Sequence, residues 1–406
     1  MDPSLLIIGA GPGGLMAAWS AARHAPPGSI LVVDRMPAAG LKLAVTGGGR
    51  GNLSHVASEE EFATAFGKQG RFTIPAFRAL PPETLRTRLA DMGVPTTVDA
   101  SGRIYPRSQS AAQVRDALLD ACTRAGVRFS FSQRVDRIRP PAHPGGTWQV
   151  DGFSARSVLL ATGGQSAPHL GSDGSGFALA RSLGYDLVPP VPALTALPTV
   201  EKWPATHSGL SLPEVILTPP DLRGPDASER GELLFTHRGI SGPAVLNLSA
   251  RVARLLQTRK EVIIQLALLP EKPDFRQLRQ AAGIRSIHAW LARQLPRTLG
   301  GTLMDLAGIP HDHPFSQLTA EQERRLGLHL TALPLTIRGT GSFAESMATS
   351  GGISLKQVRP DTLEGRLAPR LYFAGEVLDL HGPTGGWNLQ WAFCSGALAG
   401  ASAAHA

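Results

Sequence analysis

Apolar and polar positions repeat along the chain with two periods, and each change of period marks a new element. Residues Ser4 to Ile8 form a short apolar run that predicts a buried strand. Gly9-Ala-Gly-Pro-Gly-Gly14 follows, and Leu15, Ala18, Trp19 and Ala22 then fall on one face of a helix. A second strand is predicted from Ile30 to Val33, ending at Asp34. Helical patterns return at Pro82 to Met92 and Ser110 to Ala125. Between and after them lie strand-like pieces at Arg103 to Tyr105, Val127 to Phe131, Val135 to Ile138, Trp148 to Val150 and Ser157 to Leu160. Strands and helices in alternation predict an α/β layer architecture.

The middle of the chain changes character. Proline is dense from Pro189 to Pro220, and Gly231 to Phe235 and Glu261 to Ala267 predict strands of a separate antiparallel unit. Patterns at Ile287 to Gln294 and Thr319 to Leu326 predict a small helical insertion. The tail returns to α/β grammar: Leu371 to Ala374 is an apolar strand ended by Gly375-Glu376, and Gly382 to Gly386 lead into a helix from Asn388 to Gly400. The expected organisation is therefore a domain built from residues 1–188 and 345–406, an inserted β domain of 189–270 and 331–344, and a helical subdomain of 271–330.

Composition narrows the class. With 42% hydrophobic and 18% charged residues in 406, and 45 glycines that follow no triplet period, the chain is neither disordered nor fibrous. A formal charge of +8 permits acidic partners, but the basic residues are mostly Arg and spread without a run of five or six, which disfavours nucleic acid as a partner. Cys122 and Cys394 make neither a CxxC nor a zinc pattern, and a reducing cytoplasm is the natural compartment. No stretch approaches the ~20 apolar residues of a membrane span. Leu5 to Ala22 lacks the basic lead of a signal peptide and is broken by glycines. His311-Asp312-His313 has no third ligand at metal spacing, so it reads as a surface loop and no metal is expected.

The chemistry lies in the glycine turns. Gly9, Gly11 and Gly14 lack the Cβ atoms that would keep a backbone away from a pyrophosphate at the positive end of the following helix. Asp34 lies 20 residues beyond Gly14, placed to accept from ribose hydroxyls and to repel the extra phosphate of NADP, which leaves FAD or NAD. Two further segments offer what a flavin needs beyond its ADP half. In Thr46 to Asn52, Arg50 can pair with phosphate and Asn52 can bond the ring or the ribityl chain. In the tail, Glu376 can accept from ribityl hydroxyls, and the helix near Asn388 can aim its N-terminal amides at the pyrimidine edge of the ring. Each has a plain alternative (a loop arginine, a capping carboxylate, a helix lead-in), and their joint occurrence favours the flavin.

Three stretches make a resemblance specific: Gly40 to Asn52 (GLKLAVTGGGRGN), Gly231 to Pro243 (GELLFTHRGISGP) and Gly375 to Gln390 (GEVLDLHGPTGGWNLQ). With Leu160 to Gly164, Gly171 to Gly176 and Thr349 to Ile353, they are similar to the bacterial FAD-dependent flavoprotein family that contains aminoacetone oxidase and a bile-acid-pathway reductase. The resemblance implies a glutathione-reductase-like FAD-binding Rossmann domain assembled from both chain ends, with an inserted β-barrel-like domain carrying the helical subdomain. It implies FAD contacts at Gly9, Gly11, Gly13, Gly14, Asp34, Arg35, Lys42, Gly49, Arg50, Asn52, Val135, Thr162, Gly163, Gly375, Glu376, Gly386, Asn388, Leu389 and Gln390. Where that family carries Cys after the Arg of the first stretch, this chain has Gly51, which removes a thiol from beside the flavin.

The expected protein is an FAD-dependent oxidoreductase passing a hydride between a small organic substrate or NAD(P)H and flavin N5, with the flavin between the α/β and inserted domains. No second GxGxxG supports a separate NAD(P)H domain. A nicotinamide visits the flavin face transiently, or the substrate reduces the flavin and oxygen reoxidises it. His237 and Arg238 are candidates to orient a substrate anion or to brace a turn, and His381 is a candidate proton donor or a loop histidine. Two other classes stay open: a flavin-dependent RNA-modifying enzyme, and a non-catalytic flavin-binding sensor or scaffold.

Overall fold

Apolar runs of three or four residues are too short for helices, and in the computed structural model they become the strands of one parallel sheet. The structure describes residues 2–143, 145–224, 227–280 and 286–406. Leu5–Ile8 (β1), Ile30–Val33 (β2) and Ser157–Leu160 (β4) are buried along their whole length, as strands covered on both faces must be. With Arg128–Ser130 (β3) and Leu371–Phe373 (β5) they form a five-stranded sheet in the order β5-β4-β1-β2-β3, every pair parallel. Leu5 pairs with Ile30 on one side and Ser157 on the other, so β1 is central and its C-terminal end opens onto the glycine turn.

Pro12–Ala22 (α1) starts on that turn with Pro12 at its first position, where the missing N–H would have no partner in any case. The last element, Trp387–His405 (α3 below, after the short Leu41–Ala44 helix α2), packs along α1. Glycines make this possible: a Cβ on Gly396 would lie 2.2 Å from the Gly13 carbonyl oxygen, and one on Gly400 would lie 2.2 Å from that of Ala17. Ser20 adds a hydrogen bond to the Ala397 carbonyl at 2.9 Å. The two ends of the chain are thus locked backbone against backbone. Gly396→Ala is expected to cost about 1–3 kcal/mol through overpacking, read as a lowered thermal midpoint of the protein.

By its contacts the chain divides into two compact units, residues 1–192 with 343–406, and residues 193–342. The second unit holds a six-stranded antiparallel sheet with its own apolar core. Its edge strands, Leu197–Pro198 and Leu333–Ile337, are joined by a Thr199–Ile337 bridge and a Val200 N–H bond to the Thr336 carbonyl at 2.9 Å, so the sheet closes nearly into a barrel. Helices Phe275–Gln280, Ile287–Gln294, Arg297–Ala307 and Ala320–Ala332 lie between its last two strands. Residues 281–285 of the expected helical subdomain lie outside the described residues.

One expected strand needs correction, and three elements add to those expected. The Val135 to Ile138 run is a strand only at Ile138–Arg139, because Val135 belongs to a segment tied to the end of β2 by a Gln133 N–H bond to the Asp34 carbonyl. The proline-dense stretch contains two real strands, Leu187–Ala193 and Ser211–Thr218. Among the described residues the first pairs with one neighbour, Ala348–Ile353, a position where proline's missing donor does no harm. Pro243–Leu256 is a 14-residue helix that periodicity had not singled out. Among the described residues no helix is long and apolar enough to cross a membrane.

Candidate cofactor site

The turn after β1 is built so that one glycine faces open space while its neighbours pack. Gly9 holds φ +106°, and a Cβ there would lie 2.4 Å from the Ala161 carbonyl oxygen; one on Gly14 would lie 1.8 Å from that of Gly9. Gly13 sits against the Ala392 backbone. At Gly11, by contrast, an added Cβ would meet nothing within 4 Å. Gly11 caps the N-terminal end of α1, where unpaired amides and the helix dipole favour an anion.

Asp34 stands at the end of β2 beside this turn. Its Oδ2 accepts from the Ala10 amide at 2.6 Å and its Oδ1 from the Met36 amide at 2.7 Å. Burial pushes its carboxyl above the usual range, against the pull of those two amides and of the Arg35 charge. Arg35 itself donates to the carbonyls of Gly171 (3.2 Å) and Pro168 (2.7 Å), and lies 3.5 Å from Asp173. It thereby ties the 168–173 loop to the end of β2. Val135 is buried, two residues beyond the Gln133 N–H that bonds the Asp34 carbonyl. After β4, Thr162 packs on Gly176, and Gly163 takes φ +73° against Ser172.

The second glycine segment follows α2. Gly47, Gly48, Gly49 and Gly51 have φ of +61°, +67°, +85° and +81°, a run that residues with a Cβ rarely adopt. Gly48 and Gly49 have nothing within 4 Å of a built Cβ, so this loop too presents bare backbone to open space. Gly51 differs. It is buried, and a Cβ would lie 3.2 Å from Ala111 and Pro106, so the cysteine of the resembling family would be strained here twice over, by φ and by packing. The two cysteines present are far from serving instead: both are buried, and burial pushes Cys122 up to about 12 and Cys394 further. Arg50 is exposed, its Nε donating to the Gly47 carbonyl at 3.4 Å and its guanidinium 5.8 Å from the Tyr105 ring centre.

The third segment closes the cradle. Gly375 (φ +74°) and Glu376 follow β5, and Gly386 (φ +100°) caps α3. The Asn388 amide braces the turn before it, accepting from Gly382 N–H at 2.8 Å and donating to the Gly382 and Pro383 carbonyls at 2.9 and 3.2 Å. Gln390 is buried and tied on both sides of its amide, accepting from Ser54 Oγ and donating to the Leu80 carbonyl, both at 2.7 Å. Leu389 packs on the core. Their side chains hold the helix start in place. Beside it, Asn52 Oδ1 is buried with no hydrogen-bond partner, 2.8 Å from where a Cβ of Gly386 would stand. A buried acceptor left empty costs about 1–3 kcal/mol, so it marks a place for a ligand N–H or O–H.

The helix N-terminus at Gly11, an acid at the end of β2, the open backbone of Gly48 and Gly49 and a buried acceptor without a partner fit FAD, with its pyrophosphate, ribose, ribityl chain and N–H-bearing ring. Several residues here carry no local sequence signal. His55 lies with Nδ1 3.3 Å from the Gly385 carbonyl and stacks on Trp387 at 4.7 Å. Ser166 and Thr349, both fully buried, surround Glu376. His55 and Ser166 meet their partners across 330 and 210 residues, and Thr349 meets Gln165 across 184. His237 and Arg238 lie exposed on the turn between strands Glu229–Thr236 and Gly239–Ser241 of the second unit, and His381 is half-buried before the tail glycines. His311 pairs with Asp305 at 2.9 Å and His313 with the Gln317 carbonyl at 3.1 Å, so the two histidines of that loop turn to different partners.

Comparison with known proteins identifies the family. The chain is 34% identical to the 3-dehydro-bile acid delta(4,6)-reductase of Clostridium scindens, over 98% of both chains. It is 29% identical to the ribosomal RNA dihydrouridine synthase of Escherichia coli, over 96% of this chain and 95% of that one. A 3-ketosteroid delta1-dehydrogenase from Sterolibacterium denitrificans superposes with a TM-score of 0.51 at 13% identity, over 99% of each chain, a likeness of fold alone. The model of the HI0933-like protein Rossmann domain matches residues 3–402. The chain therefore belongs to the HI0933-like family of flavin-dependent oxidoreductases.

Proposed function

We propose that the chain binds FAD in this cradle and reduces a carbon–carbon double bond conjugated to a carbonyl in a small organic substrate. The observation that carries this is a chemistry shared by the two relatives' names. A 3-dehydro bile acid carries a 3-oxo group, and the delta(4,6) positions place its double bonds in conjugation with it. Dihydrouridine is uridine whose ring double bond, next to a carbonyl, has been reduced. The small-molecule reading is favoured by the higher identity of the first relative and by basic residues spread without a run.

Bound FAD would supply hydride-transfer chemistry, with NAD(P)H as the reductant, for the reduction of the conjugated double bond. The protein holds and orients. The α1 N-terminus and the bare backbone at Gly11 receive the pyrophosphate, and Asp34 accepts from the ribose. Asn52 Oδ1 accepts from an N–H or O–H of the flavin half. The 382–386 turn, fixed by Asn388, keeps the first amides of α3 in register with the glycine loop. A uridine in RNA is the second reading, favoured by the dihydrouridine synthase relative and the +8 charge.

The test is an anaerobic half-reaction. Protein loaded with FAD and reduced with NADH is mixed with a 3-oxo-Δ4,6-steroid and, separately, with unmodified ribosomal RNA. Return of the oxidised flavin absorbance with the steroid supports the proposal; return with RNA alone transfers it to the second reading. Reoxidation by neither, above the buffer rate, overturns both.

A further inference from the structure

Glu376 is not a free carboxylate waiting for a ligand. Its Oε1 accepts from the Thr349 amide at 2.8 Å and from Ser166 Oγ at 2.8 Å, and its Oε2 accepts from Lys42 Nζ at 3.1 Å. Ser166 Oγ also accepts from Lys42 Nζ. Thr349 Oγ1 in turn accepts from the Gln165 and Ser166 amides at 2.8 and 3.1 Å, which fixes the 165–166 segment that carries the serine. Gly164 permits this convergence, since a Cβ there would lie 2.4 Å from Thr349 Oγ1 and 2.7 Å from Glu376 Oε1.

Counting donors and acceptors shows where this network ends. Inside, Ser166 and Thr349 are fully buried and their polar atoms are used. At the outer end, an ammonium has three N–H donors, and only two of Lys42's are spent. Glu376 Oε2 likewise keeps a lone pair after accepting from Lys42. These two side chains are the partly exposed members of the network, at 26% for Lys42 and 20% for Glu376. A spare donor and a spare acceptor 3.1 Å apart match a hydroxyl group, which accepts from the first and donates to the second. Of the parts of FAD, only the ribityl chain and the ribose carry hydroxyls, and the ribose side belongs to Asp34.

We infer that Ser166 and Thr349 are positioning residues that hold the Lys42–Glu376 pair as a two-sided clamp for a ribityl hydroxyl. This rests on the reading that the chain binds FAD. ADP, which lacks the ribityl and flavin half, separates the clamp from the rest of the cradle.

The experiment measures dissociation constants for FAD and for ADP with the wild-type protein, Thr349→Val, Thr349→Ser and Ser166→Ala, with circular dichroism confirming that each is folded. Thr349→Val keeps volume and loses the acceptor, while Thr349→Ser restores it. The expected result is FAD binding at least about tenfold weaker in Thr349→Val and Ser166→Ala, ADP binding within about twofold of wild type, and recovery of FAD affinity in Thr349→Ser. FAD affinity unchanged in both variants overturns the inference, as does equal weakening of FAD and ADP, which signals general loosening of the fold. If Thr349→Val does not fold, Ser166→Ala alone decides by the same comparison. Failure of the wild-type protein to bind FAD overturns the parent reading instead.

Discussion

Gly11→Ala is expected to give a protein as stable as wild type that has lost its cofactor. The backbone at Gly11 has φ −73° and ψ −177°, which alanine adopts without strain, and the new methyl meets no atom within 4 Å. Folding has no use for the missing Cβ at this position. The pyrophosphate does, because its contact with the amides of the turn requires an approach that a methyl group blocks. Losing two charge-assisted hydrogen bonds of about 1.5–3 kcal/mol each puts FAD affinity down by at least about 100-fold. The check is a pair of measurements on one sample: thermal unfolding without cofactor, unchanged, and FAD titration, greatly weakened. Gly14→Ala serves as the contrast, since its methyl would lie 1.8 Å from the Gly9 carbonyl oxygen and should damage the fold itself.

The second large effect is expected at Glu376. Glu376→Ala strands three donors at once: the Thr349 amide, the Ser166 hydroxyl and the Lys42 ammonium. Each buried donor left unmade costs about 1–3 kcal/mol, and the partial exposure of the Lys42 end reduces its share, so a loss of about 2–4 kcal/mol is expected in apo stability. Glu376→Gln keeps an acceptor oxygen and should lose less than half of that. Denaturant unfolding of the two variants beside wild type reads the difference. Equal stability of Glu376→Ala and wild type would mean that water replaces the carboxylate without cost.

What the sequence reveals and what it conceals follows from the range of the interactions involved. The β1–turn–α1 unit and Asp34 are legible because strand, glycine turn and helix lie within 34 residues and each obeys a local period or backbone rule. The return of the tail to the first domain is legible for the same reason, through the apolar β5 and the Gly385-Gly386 pair. The polar network is not. Thr349 meets Gln165 across 184 residues and Ser166 meets Glu376 across 210, and nothing near either residue announces the meeting. The Leu187–Ala193 strand stays hidden because three prolines argue against a strand until its single pairing neighbour is known. Gly51 shows the converse: the departure from the resembling family is visible in the sequence, but its reason, a left-handed backbone packed on Ala111 and Pro106, is visible only in the fold.

Titration of the purified apo chain with FAD, followed by flavin fluorescence, puts the cradle itself to the test. Saturation at one equivalent per chain, with the fluorescence quenched and the cofactor retained through gel filtration, is the predicted result. A folded chain that leaves flavin fluorescence unchanged at every ratio, and elutes colourless, would contradict it.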